Sequence, residues 1–342
     1  MLLNSRDIAV SVVVTTYNHR DYLEACLESI LSQRTDFPFE VIVHDDASTD
    51  GTSDIVRRYA EQYSTSVIPI IQSTNLLSKH ESPSPYIFSK TSGKYIATCE
   101  GDDYWSERDK LQKQFDFMEE NSKYSLCMHN AIVNDFFLEL DYLTEPNSID
   151  RDKSCETIIL EGGGLINPTA SFFYRKDKRF PEWDVSAPVG DHFLMMRLAS
   201  RGKVRWMASP MSVYRFGAKG SYSARNHVRD VDATRRYSDL YVQALMEYDR
   251  LTGGDYHEAF GSRIELQKRE EFIAVRQAMM AEAIASGGPF ASCDAPIPAR
   301  IKECARRYAP EQALRILLRA KKIYATKRAG TYVASCNQTY LD

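Results

Sequence analysis

Three sets of residues in this chain have types and spacings suited to chemistry on phosphates and hydroxyls. Glu100, Asp102 and Asp103 place three carboxyl groups within four positions, and Asp45-Asp46 form a second acidic pair. Adjacent carboxylates repel one another unless a cation or a basic side chain neutralises them. Oxygen clusters of this kind suit hard divalent ions such as Mg2+ or Mn2+. The alternative for Asp102-Asp103 is an acidic turn that caps the helix opening at Lys110. The third set is one acid, Asp191, in Gly190-Asp191-His192-Phe193-Leu194. A carboxylate within reach of a hydroxyl can take its proton as a general base. The same Asp could instead cap a helix over His192–Ala199.

Other phosphate chemistries are disfavoured. The chain has no G-x-x-x-x-G-K-[ST], so it is no P-loop protein. Thr15-Thr16-Tyr17-Asn18-His19 follows the first strand where a dinucleotide-binding enzyme would carry G-x-G-x-x-G. With no backbone cradle, a bound diphosphate needs a metal to neutralise it, which points to sugar-nucleotide chemistry. His44, His129 and His192 stand alone and read as structural. Trp105, Trp183 and Trp206 read as core, with a sugar-stacking platform as the alternative.

These residues need a scaffold that gathers them at one edge. Ile8–Val14 is a β-branched run typical of a strand buried on both faces of a parallel sheet. Tyr22, Leu23, Cys26, Leu27, Ile30 and Leu31 mark one face of a helix. Val41–Val43 reads as a second buried strand, and Val67–Ile71 and Tyr95–Cys99 as a third and a fourth strand. Between them come a helix through Ile55, Val56 and Tyr59, opened by the cap cluster Ser48–Thr52, and a short helix over Tyr86–Lys90. A helix over Lys110–Glu120 follows. This alternation predicts a doubly wound α/β sheet, with ligands at the carboxyl ends of the strands. Thr15–Asn18, Asp45-Asp46 and Asp102-Asp103 all fall at such ends. In the middle region Ser125–Val133, Thr157–Leu160 and Thr169–Tyr174 read as strands, Glu161–Gly164 as a glycine-rich turn and His192–Ala199 as a helix. From about Asp230 the pattern is helical, with Leu240, Tyr241, Ala244, Leu245 and Tyr248 on one face.

The chain has 342 residues, 43% of them apolar and 26% charged, which excludes collagen-like, disordered and disulfide-scaffold classes. The net charge is −4, yet Arg300–Arg328 holds ten Lys/Arg against Glu303 and Glu311, a local +8. That stretch predicts a basic amphipathic helix, able to brace the catalytic part, join a second subunit or lie on an anionic membrane. The seven cysteines form no C-x-x-C pair, so they read as reduced thiols in a cytoplasmic protein. No run approaches the length of a membrane span or a signal peptide.

In this order and spacing the fragments resemble the family 2 glycosyltransferases of GT-A fold. The resemblance rests on Val12–Asn18, Leu27–Gln33, Val43–Thr52, Gly93–Ala97 running into Glu100–Trp105, and Lys110–Gln114, and covers about residues 8–216. It implies a GT-A catalytic domain over 1–225, with a nucleotide-sugar-binding half over 1–122 and an acceptor half over 123–225. A helical C-terminal region over 226–342 has no counterpart in the resemblance. Position by position, Thr15 and Tyr17 match contacts to the nucleotide, Tyr17 by stacking, and Asp45 and Asp46 match the acid that receives the base N–H. Asp102 and Asp103 match metal ligands, and Asp103 also reaches toward the sugar. Glu100 replaces the usual first Asp, keeping its charge with a longer reach, and stands among the nucleotide-sugar contacts. Asp191 matches the catalytic base, with Gly190 where the family usually has Glu. Tyr214-Arg215 matches a family Tyr-Arg, but Phe216-Gly217 stands where a His often follows. The Q-x-x-R-W of processive synthases is absent.

The resemblance implies an inverting, single-addition hexosyl- or N-acetylhexosaminyl-transferase. It would use Mn2+ or Mg2+, a nucleotide-sugar donor of UDP type and a saccharide or lipid-linked saccharide acceptor, in surface polysaccharide synthesis and without nucleic acid. A sugar-nucleotide nucleotidyltransferase is the alternative enzyme, and a non-catalytic glycan- or partner-binding relative the alternative outside catalysis.

Overall fold

Runs of valine and isoleucine form the strands at the centre of the fold. The computed structural model describes residues 8–79, 81–176, 187–226 and 230–285. β1 (Val10–Thr16) lies between β2 (Phe39–Asp45) and β4 (Tyr95–Glu100), parallel to both. β3 (Val67–Ile71) extends the parallel set beyond β2. Val10, Val12, Val14, Val41 and Val43 have no exposed surface. Burial of their apolar area is the main force holding the sheet between its helices.

On its other side β4 pairs antiparallel with β9 (Phe173–Arg175), and β9 pairs antiparallel with β6 (Tyr124–Asp135). Two reversals restore direction, so β6 runs with β4. β10 (Lys203–Phe216) pairs parallel with β6, and the short β5 (Tyr104–Trp105) lies antiparallel on β10. β7 (Leu140–Leu143) forms a hairpin with β6, and β8 (Arg151–Lys153) pairs with β10. The carboxyl ends of β1, β2, β3, β4, β6 and β10 therefore share one edge of the sheet.

α1 (Leu23–Leu31) buries Leu23, Cys26, Leu27 and Ile30 in the core, while α2 (Thr52–Gln62) buries Val56 and Tyr59. α3 (Ser84–Phe88) is short, and α4 (Lys110–Glu120) buries Leu111 and Met118. These follow the periodicity of the sequence to within two or three residues.

Two readings in the middle region need correction, and one strand there was not read. Thr157–Leu160 is not a strand but part of α5 (Cys155–Glu161). Its β-branched run suggests a strand, but the Ser154 side chain caps the Thr157 N–H and Glu156 sits in the first turn. Thr169–Tyr174 is only partly extended: Thr169–Ser171 is a 3-10 turn and the strand begins at Phe173. The long β10, with a register shift between Met207 and Ser212 around Pro210, went unread in the sequence because Pro and the shift break its alternation.

α6 (Gly190–Ala199) and the short α7 (Tyr222–Asn226) follow, and then two long helices, α8 (Val231–Leu251) and α9 (His257–Ala285). The chain divides into two compact units, Met1–His227 with Gln243–Arg263, and Val228–Val242 with Ile264–Asp342. Within the first unit Tyr248 of α8 packs edge-on against Phe193 of α6, ring centroids 5.1 Å apart. The basic Arg300–Arg328 stretch lies outside the described residues, as does Trp183. No described helix is long and apolar enough to cross a membrane.

Candidate active site

The parallel register sets the site. Thr15 of β1 stands beside Glu100 of β4 and His44 of β2, and Thr16 stands beside Asp45. The ladder continues past the strand ends: Asp46 N donates to Thr16 O at 3.0 Å, and Gly101 N donates to Thr15 O at 2.8 Å. A Cβ at Gly101 would lie 2.7 Å from Thr16 Oγ1 and 3.1 Å from His19 Nδ1, so the acidic loop can press onto β1 only with glycine there.

This loop brings Glu100, Asp102 and Asp103 together, with one carboxylate oxygen from each within 4.8 Å of the others. Asp103 is fully buried; its Oδ1 accepts from Arg215 N at 2.8 Å, and its Oδ2 has no hydrogen-bond partner. Burial, then the charges of Asp102 and Glu100, push the Asp103 carboxyl well above its usual range. Burial, then Asp102 and Asp191, push Glu100 up to about 8. Three crowded carboxyl groups and an orphaned buried oxygen fit a hard divalent cation. Asp102 and Asp103 would hold it, with Glu100 beside them.

Two side chains fasten the loop. Arg215 Nη1 donates to the Asp102 carbonyl at 2.8 Å, and its guanidinium lies 4.6 Å from the Tyr104 ring and 5.3 Å from the Tyr22 ring. His19 is 7% exposed, and its Nε2 faces Asp102 Oδ2 at 3.6 Å. Burial lowers the His19 pKa and Asp102 opposes that shift.

Asp191 stands on α6, within electrostatic reach of Glu100. It sits in the first turn of α6, whose N-cap is Val189. Its Oδ2 accepts from Gly164 N at 2.9 Å and its Oδ1 from His192 N at 2.7 Å. Burial raises the Asp191 pKa, and these two N–H groups restrain it. Gly163 lies against the carboxylate: a Cβ there would stand 2.3 Å from Asp191 Oδ2. The charge of Asp191 reaches both Glu100 and Tyr214. Tyr214 also feels Asp103, Glu100 and Asp102, and burial with these charges pushes its phenol well above the usual range.

The remaining expected residues stand on the same edge with different engagements. Thr15 and Tyr17 are half-buried, and the Arg225 guanidinium lies 5.1 Å from the Tyr17 ring. Both Asp45 oxygens accept hydrogen bonds, Oδ1 from Ser48 in the loop that follows and Oδ2 from the Ser53 hydroxyl in the first turn of α2. Asp46 accepts from Leu76 N at 2.7 Å and Leu77 N at 3.2 Å, fixing the loop after β3. His192 is structural: its Nε2 contacts Ile158 O at 2.9 Å and burial pushes its pKa down to about 4. Trp105 Nε1 donates to Ala170 O and Trp206 Nε1 to Ser148, so both are satisfied core residues. Sequence reasoning missed His19. Its signal was a histidine directly after the polar end of β1, a place where loops face the ligand edge.

The family model described as glycosyl transferase family 2 matches residues 11–200, more than half of the sequence, and the chain belongs to that family. A Mycobacterium tuberculosis protein, Rv1520, is 32% identical over 213 residues, 62% of this chain and 60% of that protein. The chain thus spans about three fifths of that relative's length. An Escherichia coli protein, the UDP-Glc:alpha-D-GlcNAc-diphosphoundecaprenol beta-1,3-glucosyltransferase WfaP, is 30% identical over 176 residues, 49% of this chain and 66% of that one. Among solved structures, S. aureus TarS 1-349 in complex with UDP-GlcNAc has a TM-score of 0.54 at 17% identity, covering 71% of this chain and 67% of that one. That likeness shows the shared GT-A fold.

Proposed function

We propose that this chain is an inverting, metal-dependent, single-addition glycosyltransferase. It moves a hexosyl or N-acetylhexosaminyl group from a nucleotide sugar of UDP type to a glycan or lipid-linked glycan, in surface polysaccharide synthesis at the cytoplasmic face of the membrane. The observation that carries this reading is the cluster of Glu100, Asp102 and Asp103 at the carboxyl end of β4, with Asp191, far along the chain, within electrostatic reach of Glu100. The name of WfaP, with its diphosphoundecaprenol-linked acceptor, supports the lipid-linked option. The reading places the catalytic domain in 1–225 and leaves 226–342 as a separate C-terminal region.

A divalent ion held by Asp102 and Asp103, when bound, supplies Lewis-acid neutralisation of the diphosphate leaving group. Tyr17 stacks on the base, Thr15 contacts the nucleotide, and Asp45 and Asp46 shape the loops around it. Glu100 and Asp103 face the sugar-diphosphate. Asp191 takes the proton of the acceptor hydroxyl as its oxygen attacks the anomeric carbon. Its raised pKa suits a base that must bind a proton during the step. Attack from the side opposite the leaving group inverts that centre.

The test is nucleotide release from UDP-sugars, with and without chelator, in the wild type and in Asp191→Asn. The expected loss in turnover is on the order of 10²–10⁴, with donor affinity retained. A chain that turns over unaffected by chelator, or that consumes a nucleoside triphosphate and a sugar phosphate instead, overturns the reading.

A further inference from the structure

The β6–β7 hairpin turns at the same sheet edge as the site, because β6 runs with β4 through the intervening β9. At the turn stand Phe136, Phe137 and Leu138, exposed by 45%, 40% and 50%. Polar groups hold them outward: Asp135 Oδ1 accepts from Phe137 N and from Leu138 N, both at 2.9 Å, and Asp135 Oδ2 accepts from Tyr142 Oη. The turn is also tied to the wall of the cleft. The Phe137 ring lies 5.5 Å from that of Phe216, two residues after Tyr214, and a Cβ at Gly217 would meet it at 2.5 Å. Gly217 has φ +81°, so both backbone and space demand glycine under this ring.

Two residues on, Lys219 is exposed and makes no ion pair among the described residues. Its N–H donates to Tyr22 Oη, and it borders a cavity of about 230 Å³ shared with Arg20, Tyr22 and Gly220 and with two carboxylates, Asp21 and Asp50. An apolar turn followed by a free ammonium matches a hydrocarbon chain ending in phosphate. The turn is too small for a stable protein interface, which needs roughly 800 Å² per partner. A few protruding apolar side chains are enough to enter the headgroup–acyl boundary of a bilayer.

We propose that the Phe136–Leu138 turn seats the chain on the bilayer at the lipid anchor of its acceptor, with Lys219 facing the anchor's phosphate. This rests on the lipid-linked acceptor reading above and gives it a surface. Glu139 and Asp141 flank the turn, so the seat is apolar rather than charge-driven. It therefore persists in high salt and on uncharged lipid, where a basic segment such as Arg300–Arg328 would let go.

The experiment is flotation of the full chain with phosphatidylcholine vesicles, plain or carrying a polyprenyl phosphate, at low and high salt. Wild type should bind the plain vesicles at both salt levels and bind more tightly with polyprenyl phosphate. Phe136→Ser/Leu138→Ser should bind about ten-fold more weakly to both, with an unchanged melting temperature. Leu138→Ser alone serves if the double variant does not fold. Lys219→Ala should lose only the gain from polyprenyl phosphate. Wild type that ignores plain vesicles, serine variants that bind like wild type, or binding confined to phosphatidylglycerol at low salt overturns the seat. An unchanged polyprenyl phosphate response in Lys219→Ala overturns the phosphate contact. Nucleotide release measured in parallel reads the glycosyltransferase assignment separately, because neither Phe136 nor Leu138 touches the donor site.

Discussion

Gly163 gives the sharpest test of the site, because its missing side chain is the space that Asp191 occupies. An added Cβ would stand 2.3 Å from Asp191 Oδ2, 2.6 Å from its Cγ and 2.9 Å from its Oδ1. Ordinary contacts of this kind sit near 3.5 Å, so the carboxylate must retreat by about 1 Å. Such a retreat also strains the Gly164 N–H bond to Oδ2, now 2.9 Å. A misplacement of about 1 Å can cost on the order of 10² in rate. Gly163→Ala should therefore lower kcat by roughly that factor, with donor affinity by calorimetry unchanged. The sign of the pH effect follows from the same contacts. Burial raises the Asp191 pKa and the two N–H groups restrain it, so weakening one raises it further. The base works deprotonated, so the acid limb of the rate profile should move to higher pH. Gly162→Ala is the control. Gly162 has φ +80° and ψ −169°, a conformation essentially reserved for glycine, and no atom within 4 Å of an added Cβ, so alanine there costs about 1–3 kcal/mol of backbone strain without a clash at Asp191. Equal kcat in Gly163→Ala and wild type, or a rate loss that Gly162→Ala reproduces at matched stability, would refute the reasoning.

Asp102→Asn should abolish transfer and Mn2+ binding by paramagnetic resonance while leaving the fold intact, because it removes one of three mutually repelling carboxyl groups. Glu100 is raised from 4.5 to about 8 in the folded chain, so folding binds a proton there that the unfolded chain has released. Without metal, stability should thus fall as pH rises from about 4.5 toward 8, and thermal melts with and without Mn2+ should diverge across that window. His19→Ala should weaken Mn2+ binding about ten-fold, the usual scale for losing an outer partner of a ligand, and His19→Gln should restore part of it.

How much of this was legible beforehand depended on the range of the interactions. β1, β2 and α4 were readable because local apolar patterning and burial agree, and Val12 or Leu111 has no role that competes with packing. Thr157–Leu160 misled because a β-branched run outvoted a cap that lies three residues upstream. The acidic trio and Asp191 were visible as residue types, but their meeting was not, since it depends on β9 restoring the strand direction. Glu161–Gly164 was visible as a glycine-rich turn. That Gly163 clears room for a carboxylate far along the chain shows only in three dimensions. His19 was hidden for the same reason: its partner Asp102 is brought to it by sheet register, not by spacing.

Arg215 has a consequence for how the molecule comes into being. Its backbone N–H holds Asp103 from 112 positions away, and its guanidinium holds the Asp102 carbonyl from 113. The acidic loop leaves the ribosome long before the strand that secures it. Until β10 docks, Asp103 has no donor to justify its burial, and closing so long a loop delays that contact. A nascent or truncated chain ending before β10 would carry every acidic residue of the cluster and still lack a formed cation site. Competence to bind metal therefore reports completion of the sheet, and metal uptake during refolding would time the arrival of its late strand.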